Sequence, residues 1–218
     1  MKSLGAIIGL SLFSLASVSF GQDYEMREGV HQHDGFFLRI VPGGGSSQFS
    51  MTAPDERLLP QYRGKDMLSY SGGFTAASTI QIGGAVTENL IIFGESGGVF
   101  SVGPTIKTFD QEVTNPGSAW VYSGGVGPGI TYYFMPANVY VSGSALASLS
   151  VMALQGSTEG SKIGFGLHFL AGKEWWTGEQ WGLGLAAYYR YGSQKNDNLD
   201  FVTMSGSSYG LVFSATLN

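Results

Sequence analysis

The chain has no cysteine in its 218 residues, which excludes disulfides, thiolate metal sites, a cysteine nucleophile and a lipidated N-terminal cysteine. Charged residues are also scarce, at 12% of the chain, which is about half their usual share. The net charge of −5 leaves no basic face for phosphate, so no nucleic-acid partner is expected. Glycine, by contrast, is abundant: 34 residues follow no three-residue period, which excludes collagen, and a 13% aromatic content excludes disorder.

The first 21 residues have the pattern of a signal peptide. Lys2 precedes an apolar stretch that runs from Leu4 to Ala16, and Ser19 and Gly21 place small side chains before a cut at Gln22. A membrane anchor is the alternative, but the apolar stretch is too short for one. We therefore predict export of the chain, with residues 22–33 forming a solvated periplasmic N-terminal tail before the folded region 34–218.

From residue 34 onward the hydrophobic pattern has a period of two. In the segment 181–191, Trp181, Leu183 and Leu185 share one face while small residues such as Gly182 occupy the other. This alternation is typical of a strand with one apolar face. Eight segments follow it: 35–42, 71–84, 89–103, 119–134, 139–152, 162–174, 181–191 and 208–217.

The connections between these segments alternate in length. Long links are expected at 43–70, 104–118, 153–161 and 192–201, and short turns at 85–88, 135–138 and 175–180. Short turns at one end and long loops at the other are typical of transmembrane barrels, and an even strand number brings both chain ends to one side. The sequence therefore predicts an all-β fold, an eight-stranded antiparallel up-and-down transmembrane β-barrel. A ten-stranded barrel with two further strands in 43–70 is the alternative.

The distribution of charge decides which face points outward. Only Arg39, Glu95 and Arg190 lie well inside predicted strands, whereas a soluble barrel would expose many charges on its outer face. The polar face is therefore assigned to the interior and the apolar face to lipid. Aromatic residues support this assignment with two interfacial belts. One belt lies near the long loops (Phe74, Phe100, Trp120, Tyr122, Tyr189 and Tyr191) and one near the short turns (Phe36, Tyr132, Phe134 and Trp181).

Four polar residues are expected at one height inside the barrel. They are Arg39, Gln81, Glu95 and His168, while Arg190 is placed at the extracellular rim. Buried opposite charges are tolerated only when they are paired, so an Arg39–Glu95 pair is predicted to help close the lumen to bulk water. Apolar residues at 91 and 93 share the face of Glu95, so a bulge that shifts the register of 89–103 remains open.

The leader, the eight segments and the closing run from Tyr209 to Leu217 resemble small outer-membrane β-barrel proteins of Gram-negative bacteria, the OmpA/OmpX-like and OmpW-like group. The resemblance implies a place in the cell outer membrane, contact with outer-membrane lipid and lipopolysaccharide, and insertion by the barrel-assembly machinery. A monomer is expected. The resemblance to the OmpW-like members adds a narrow channel for small apolar solutes or ions as an alternative function.

Residues that could carry chemistry are few. His31 and His33 have a spacing that could bind a metal, but they have no third histidine or acidic cluster nearby, so neither a metal nor a cofactor is expected. His168 is the only histidine in the barrel, and Gly-x-Ser-x-Gly is absent. We predict a non-enzymatic protein with a structural or surface-contact role, long extracellular loops and a side-chain-filled lumen. The loop at 43–70 is expected to be mobile and solvated, and surface recognition is its alternative role. A lipid-modifying enzyme is the third alternative.

Overall fold

The computed structural model describes residue 33 and residues 35–109, 111–113, 119–154 and 156–218. The signal-peptide prediction and the tail prediction, except at His33, lie outside the described residues. Twelve strands are formed, together with two single-turn 3-10 helices at Asp55–Arg57 and Pro60–Tyr62. The strands are β1 (Phe36–Thr52), β2 (Leu68–Ser71), β3 (Phe74–Thr87), β4 (Leu90–Val102), β5 (Thr105–Thr108), β6 (Gln111–Val113), β7 (Ala119–Phe134), β8 (Val139–Leu154), β9 (Ser157–Gly160), β10 (Gly164–Trp176), β11 (Trp181–Lys195) and β12 (Thr203–Leu217).

Eight of these strands close into a barrel. The order β12-β11-β10-β8-β7-β4-β3-β1 is antiparallel throughout, and β12 pairs with β1 to complete the ring. This seam runs from Leu38 opposite Leu217 to Thr52 opposite Thr203. The predicted eight-stranded antiparallel barrel is confirmed, and the ten-stranded alternative is wrong.

The long link expected at 43–70 begins as strand and ends as strand, with two short 3-10 helices between. β1 continues through Gly43–Gly45 to Thr52, and its last part pairs with β12 on one side and β2 on the other. The glycines mark a close approach of backbones instead of a loop. A Cβ on Gly45 would lie 2.0 Å from the carbonyl oxygen of Tyr209, and one on Gly210 would lie 2.1 Å from that of Gly44.

The other long links are also shorter than expected. Gly72 and Gly73, with φ of 72° and 77°, interrupt the extended backbone between β2 and β3. β2 therefore extends the barrel wall above β3, and it pairs with β5. β5 and β6 form a hairpin within 104–118, β9 lies within 153–161, and β11 continues to Lys195. The strands therefore rise well beyond the belt at the long-loop end.

The outer wall between the two ends is apolar. Outward positions include Ile92 at 51% exposure, Leu211 at 70% and Phe213 at 67%. The ten residues predicted for the aromatic belts all occupy outward positions, from Tyr122 at 37% to Phe74 at 72%, with Trp120 half-buried. The described part of the chain has no helix that is both long and apolar enough to cross a membrane.

The inward side chains fill the barrel in layers. An apolar cap lies at the long-loop end and contains Phe49, Met51, Tyr70, Ile106, Met152, Val202 and Met204. Aromatic residues, among them Phe37, Tyr133 and Tyr140, fill the short-turn end. Polar and charged residues occupy the space between. The register of β4 is regular, with Ile91, Phe93 and Glu95 all buried, and the shift lies in β3 between Ala85 and Thr87 instead.

Candidate functional site: the charged lumen

The charged layer nearer the short turns is centred on Arg39. Its side chain is 0% exposed, and its Nε lies 3.4 Å from Oε1 of Glu174, which is equally buried. The hydroxyl of Tyr133 accepts from Arg39 Nη2 at 2.5 Å and donates to Glu174 Oε2 at 2.9 Å. Thr216 accepts from Arg39 and donates to Glu174 Oε1 at 2.7 Å. We call Arg39, Glu174, Tyr133 and Thr216 the Arg39 layer.

Aromatic rings complete the surroundings of the Arg39 guanidinium. Its Cζ lies 4.0 Å from the ring centre of Tyr140 and 4.9 Å from that of Phe37. A cation over an aromatic face is stabilised by the ring quadrupole, and more so where water is excluded. The cation is thus held by one carboxylate, by hydroxyls and by ring faces.

The second charged layer is centred on Glu95. His168 Nδ1 lies 2.7 Å from Glu95 Oε1, and Arg190 Nη2 donates to the same oxygen at 3.0 Å. Ser144 donates to Glu95 Oε2 at 2.6 Å. Arg190 also donates to the carbonyl of Gly97 and to the hydroxyl of Thr79, both at 3.1 Å. We call Glu95, His168, Arg190 and Ser144 the Glu95 layer.

Gln81 joins the two layers. Its Oε1 accepts from Arg39 Nη1 at 3.1 Å, and its Nε2 donates to Glu95 Oε2 at 3.0 Å. The amide orientation is determined by these contacts, because a guanidinium can only donate and an ionised carboxylate can only accept. The result is one continuous hydrogen-bonded network that crosses the lumen.

Arg39, Gln81, Glu95 and His168 therefore come together as one group, but their charge pairing differs from the prediction. The predicted Arg39–Glu95 ion pair is wrong: Arg39 pairs with Glu174, and Glu95 pairs with Arg190 and His168. Glu174 was missed because strand β10 continues beyond the predicted end of 162–174 to Trp176. That extension makes Glu174 an inward position within regular strand structure, two residues before the strand ends.

Arg190 does not lie at the extracellular rim. Its side chain is buried in the lumen, with the residue only 5% exposed. Counting residues along each strand placed it too high, because barrel strands are tilted and a long side chain can reach across the lumen. The tilt and the reach of the guanidinium together bring it to Glu95.

His33 plugs the short-turn end instead of lying in a solvated tail. It is 1% exposed and stacks on Tyr133 with ring centres 3.4 Å apart. Its Nδ1 and Nε2 contact the side-chain amides of Asn218 and Asn138 at 2.7 and 3.0 Å. Burial lowers the pKa of His33 below its usual value of 6.5. His31 lies outside the described residues.

The chemistry open to this network is limited. Within the described residues, no group of three or more histidine, aspartate or glutamate side chains could hold a metal ion. His168 is oriented by Glu95, but in the part of the chain described here no hydrogen bond joins it to a serine or threonine hydroxyl. Two arginines and two glutamates balance in charge, which is what a dry interior requires. The arrangement is that of a stabilised, filled lumen.

No family model and no curated protein sequence matches the chain. Among solved structures, it is similar to Neisserial surface protein A (14% identity, 84% of this chain and 96% of that one, TM-score 0.45). It is also similar to the outer membrane protein OprG from Pseudomonas aeruginosa (12%, 87% and 99%, TM-score 0.49). A third is the outer membrane protease OmpT from Escherichia coli (9%, 87% and 99%, TM-score 0.47). Such distant likeness assigns no activity to this chain.

Proposed function

We propose that this protein is a non-enzymatic β-barrel of the cell outer membrane. Its filled lumen holds the wall rigid and supports a surface platform built by the strand extensions at the long-loop end. Outer-membrane lipid and lipopolysaccharide surround the barrel, the barrel-assembly machinery inserts it, and it works as a monomer. The observation that carries the proposal is the combination of an apolar outer wall with a charged, buried interior.

The membrane location rests on the outer wall. Ile82, Ile92, Ile130 and Leu185 are each between 46% and 51% exposed on outward positions of different strands. A continuous apolar band of this kind is unfavourable in water and favourable in hydrocarbon. The belt residues at its two edges have the amphipathic side chains that prefer the membrane interface.

The closed lumen rests on burial and pairing. The six residues that carry the two layers and their bridge are at most 5% exposed (Arg39, Gln81, Glu95, His168, Glu174 and Arg190). An eight-stranded barrel is just wide enough for side chains to fill it. The apolar cap above and His33 below close the two ends of this column. A passage for solutes would require these contacts to break.

The absence of enzymatic activity is supported by the surroundings of His168. The imidazole is 3% exposed and faces the lumen, where Glu95 and Arg190 contact it. A lipid substrate approaching from the membrane would meet the apolar outer wall. We expect no turnover when the purified protein is incubated with labelled phospholipid or lipopolysaccharide; product formation that depends on His168 would contradict the proposal.

Two experiments test the location and the closed lumen. Cell fractionation should place the protein in the outer membrane, and the folded form should migrate faster than the boiled form in a detergent gel. A soluble periplasmic protein without detergent dependence would overturn the location. In planar bilayers we expect no sustained conductance. A defined, long-lived channel would overturn the filled lumen and favour the narrow channel.

A further inference from the structure

The outer wall is polar on one side of the barrel just beyond the belt at the long-loop end. On β11, β12 and β1 the outward positions above Tyr189 and Tyr209 carry hydroxyl or amide side chains instead of apolar ones. β2 and β5 continue this surface with serines and a lysine. We call it the polar face, and its members are Gln48, Ser50, Ser69, Ser71, Lys107, Tyr189, Tyr191, Ser205 and Ser207.

The strand register aligns these side chains in two rows. Tyr191 lies opposite Ser207, and Gln48 lies opposite both Ser207 and Ser71, which gives one row over four strands. In the next row Ser50 lies opposite both Ser205 and Ser69, and Ser69 lies opposite Lys107. Neighbouring strands are about 4.8 Å apart, so each row presents a hydrogen-bonding group at every such step.

The polar face is concave and partly aromatic. It lines an open groove of about 410 Å³, a volume within the range of small-molecule binding sites. Tyr189 and Tyr191 remain 44% and 37% exposed along one wall of it. The charged members of its lining are Asp66 and Lys107, so the surface is polar with little net charge.

A second groove, lined in part by the belt residues Phe100 and Tyr122, has a different character. This groove of about 540 Å³ is lined by small and apolar residues, among them Ala76, Gly98, Phe100, Leu149 and Ile163. Height along the barrel therefore does not by itself explain the hydroxyl groups. The polar face is a local property of β11, β12, β1, β2 and β5.

We infer that the polar face binds the saccharide headgroup of a glycolipid in the outer leaflet of the protein's own membrane. The inference rests on the proposed membrane location. Sugar hydroxyls both donate and accept, and so do the serine hydroxyls and the Gln48 amide. The flat rings of Tyr189 and Tyr191 can pack against the C–H face of a pyranose while their hydroxyls stay in polar surroundings.

The position of the polar face identifies the source of the saccharide. Tyr189 and Tyr191 belong to the belt that marks the upper membrane interface, so the groove lies at headgroup height and below the tips of the loops. Lys107 at its far edge matches a headgroup that carries phosphate. A protein partner would instead be expected to contact an apolar centre surrounded by a polar rim.

The test uses the full-length protein purified in detergent and titrated with lipopolysaccharide. A double variant, Tyr191→Ala with Gln48→Ala, removes the ring face and the amide. Tyr132→Ala is the matched control, because Tyr132 is a belt tyrosine of similar exposure, 44%, at the short-turn end. We expect the double variant to bind at least about tenfold more weakly than the wild type and the control to bind normally.

Competition measurements and folding controls separate saccharide binding from other causes of weaker lipopolysaccharide binding. The delipidated oligosaccharide should compete with lipopolysaccharide for the wild type, whereas phosphatidylglycerol should not. Equal binding by the wild type and the double variant, or no competition by the oligosaccharide, would overturn the inference. Heat-modifiable mobility and fractionation are measured for every variant: failure of the inference leaves both intact, whereas failure of the proposed location changes them for the wild type itself.

Discussion

The two charged layers of the lumen both hold buried charges, but they stabilise them with different partners. In the Arg39 layer one cation meets one carboxylate, Glu174, and aromatic rings cover the rest of the guanidinium. In the Glu95 layer one carboxylate receives two basic side chains, and Arg190 has a backbone carbonyl in addition. Both arginines have one carboxylate and several neutral partners, but the Arg39 side chain is completely buried, whereas 6% of the Arg190 side chain is exposed.

This difference matters because a buried carboxylate and a buried guanidinium respond differently to the loss of their partner. A buried glutamate that loses its partner can take up a proton, but an arginine remains charged at any physiological pH. The layer whose arginine is completely buried should therefore be the more sensitive to loss of its carboxylate. Substitutions that keep side-chain shape separate this effect from simple packing loss.

The largest effect is expected for Glu174→Gln. It leaves Arg39 fully buried without a counter-charge, and we expect a loss of about 3–5 kcal/mol in the free energy of unfolding, measured by urea titration in lipid vesicles. Adding Arg39→Met should recover part of that loss, because no uncompensated charge then remains. Strictly additive effects of the two substitutions would show that Arg39 and Glu174 do not stabilise each other.

A smaller effect is expected for Glu95→Gln. Arg190 keeps the carbonyl of Gly97 and the hydroxyl of Thr79, and its side chain is not completely buried, so we expect a loss of about 2–3 kcal/mol in the same titration. Arg190→Met serves as the companion variant for a cycle with Glu95. If Glu95→Gln costs as much as Glu174→Gln, the comparison between the layers fails.

Gln81→Leu tests whether the layers act together. It removes one hydrogen bond from each layer while both charges keep other partners, so we expect a loss of about 1–2 kcal/mol. The coupling between Arg39→Met and Glu95→Gln, measured by a double-mutant cycle, should be small and should vanish in the Gln81→Leu background. Coupling that persists without Gln81 would require another route between the layers.

The smallest effect concerns pH and His33. Because burial lowers its pKa in the folded protein, the unfolded chain binds more protons once the pH falls below the ordinary value of 6.5. Stability contributed by His33 is therefore present above that pH and lost as the pH falls through the folded pKa. Unfolding titrations at about pH 7.5 and 5.5 should show a larger decrease for the wild type than for His33→Phe, which keeps the stacking on Tyr133. Equal decreases would show that His33 does not contribute.

Much of the barrel could be predicted because the period-two pattern reports which side chains face which surface. The same parity, followed along β10 from His168 through Leu170 and Gly172, also places Glu174 inside. It was overlooked because it is the last residue of the predicted segment 162–174 and borders the turn predicted at 175–180. Parity identifies the face of a residue, but it does not identify its partner.

Partners across the lumen depend on strand tilt and side-chain reach, which no one-dimensional pattern contains. Arg190 and Glu95 belong to strands that are not neighbours, and a count along each strand separates them in height. The glycine run at 43–45 led to the wrong prediction of a loop for a related reason. Glycine marks flexible loops and close backbone contacts equally, and only the neighbouring strand distinguishes the two.

The seam between β1 and β12 has a consequence for how the barrel is assembled. Every other strand pair of the barrel joins strands that are consecutive along the chain, apart from the short extension strands. This pair joins the first strand to the last, so its formation carries the highest entropic cost of closure. Gly45 and Gly210 let the first and last strands approach closely at this seam, because a Cβ at either position would collide with a carbonyl oxygen of the opposite strand. A methyl group added at either glycine would oppose this pairing, and a barrel that fails to close is a sheet with two unpaired edges, the kind of intermediate that aggregates or is degraded. The glycines at this seam thus serve the closure of the barrel, the step that removes both edges.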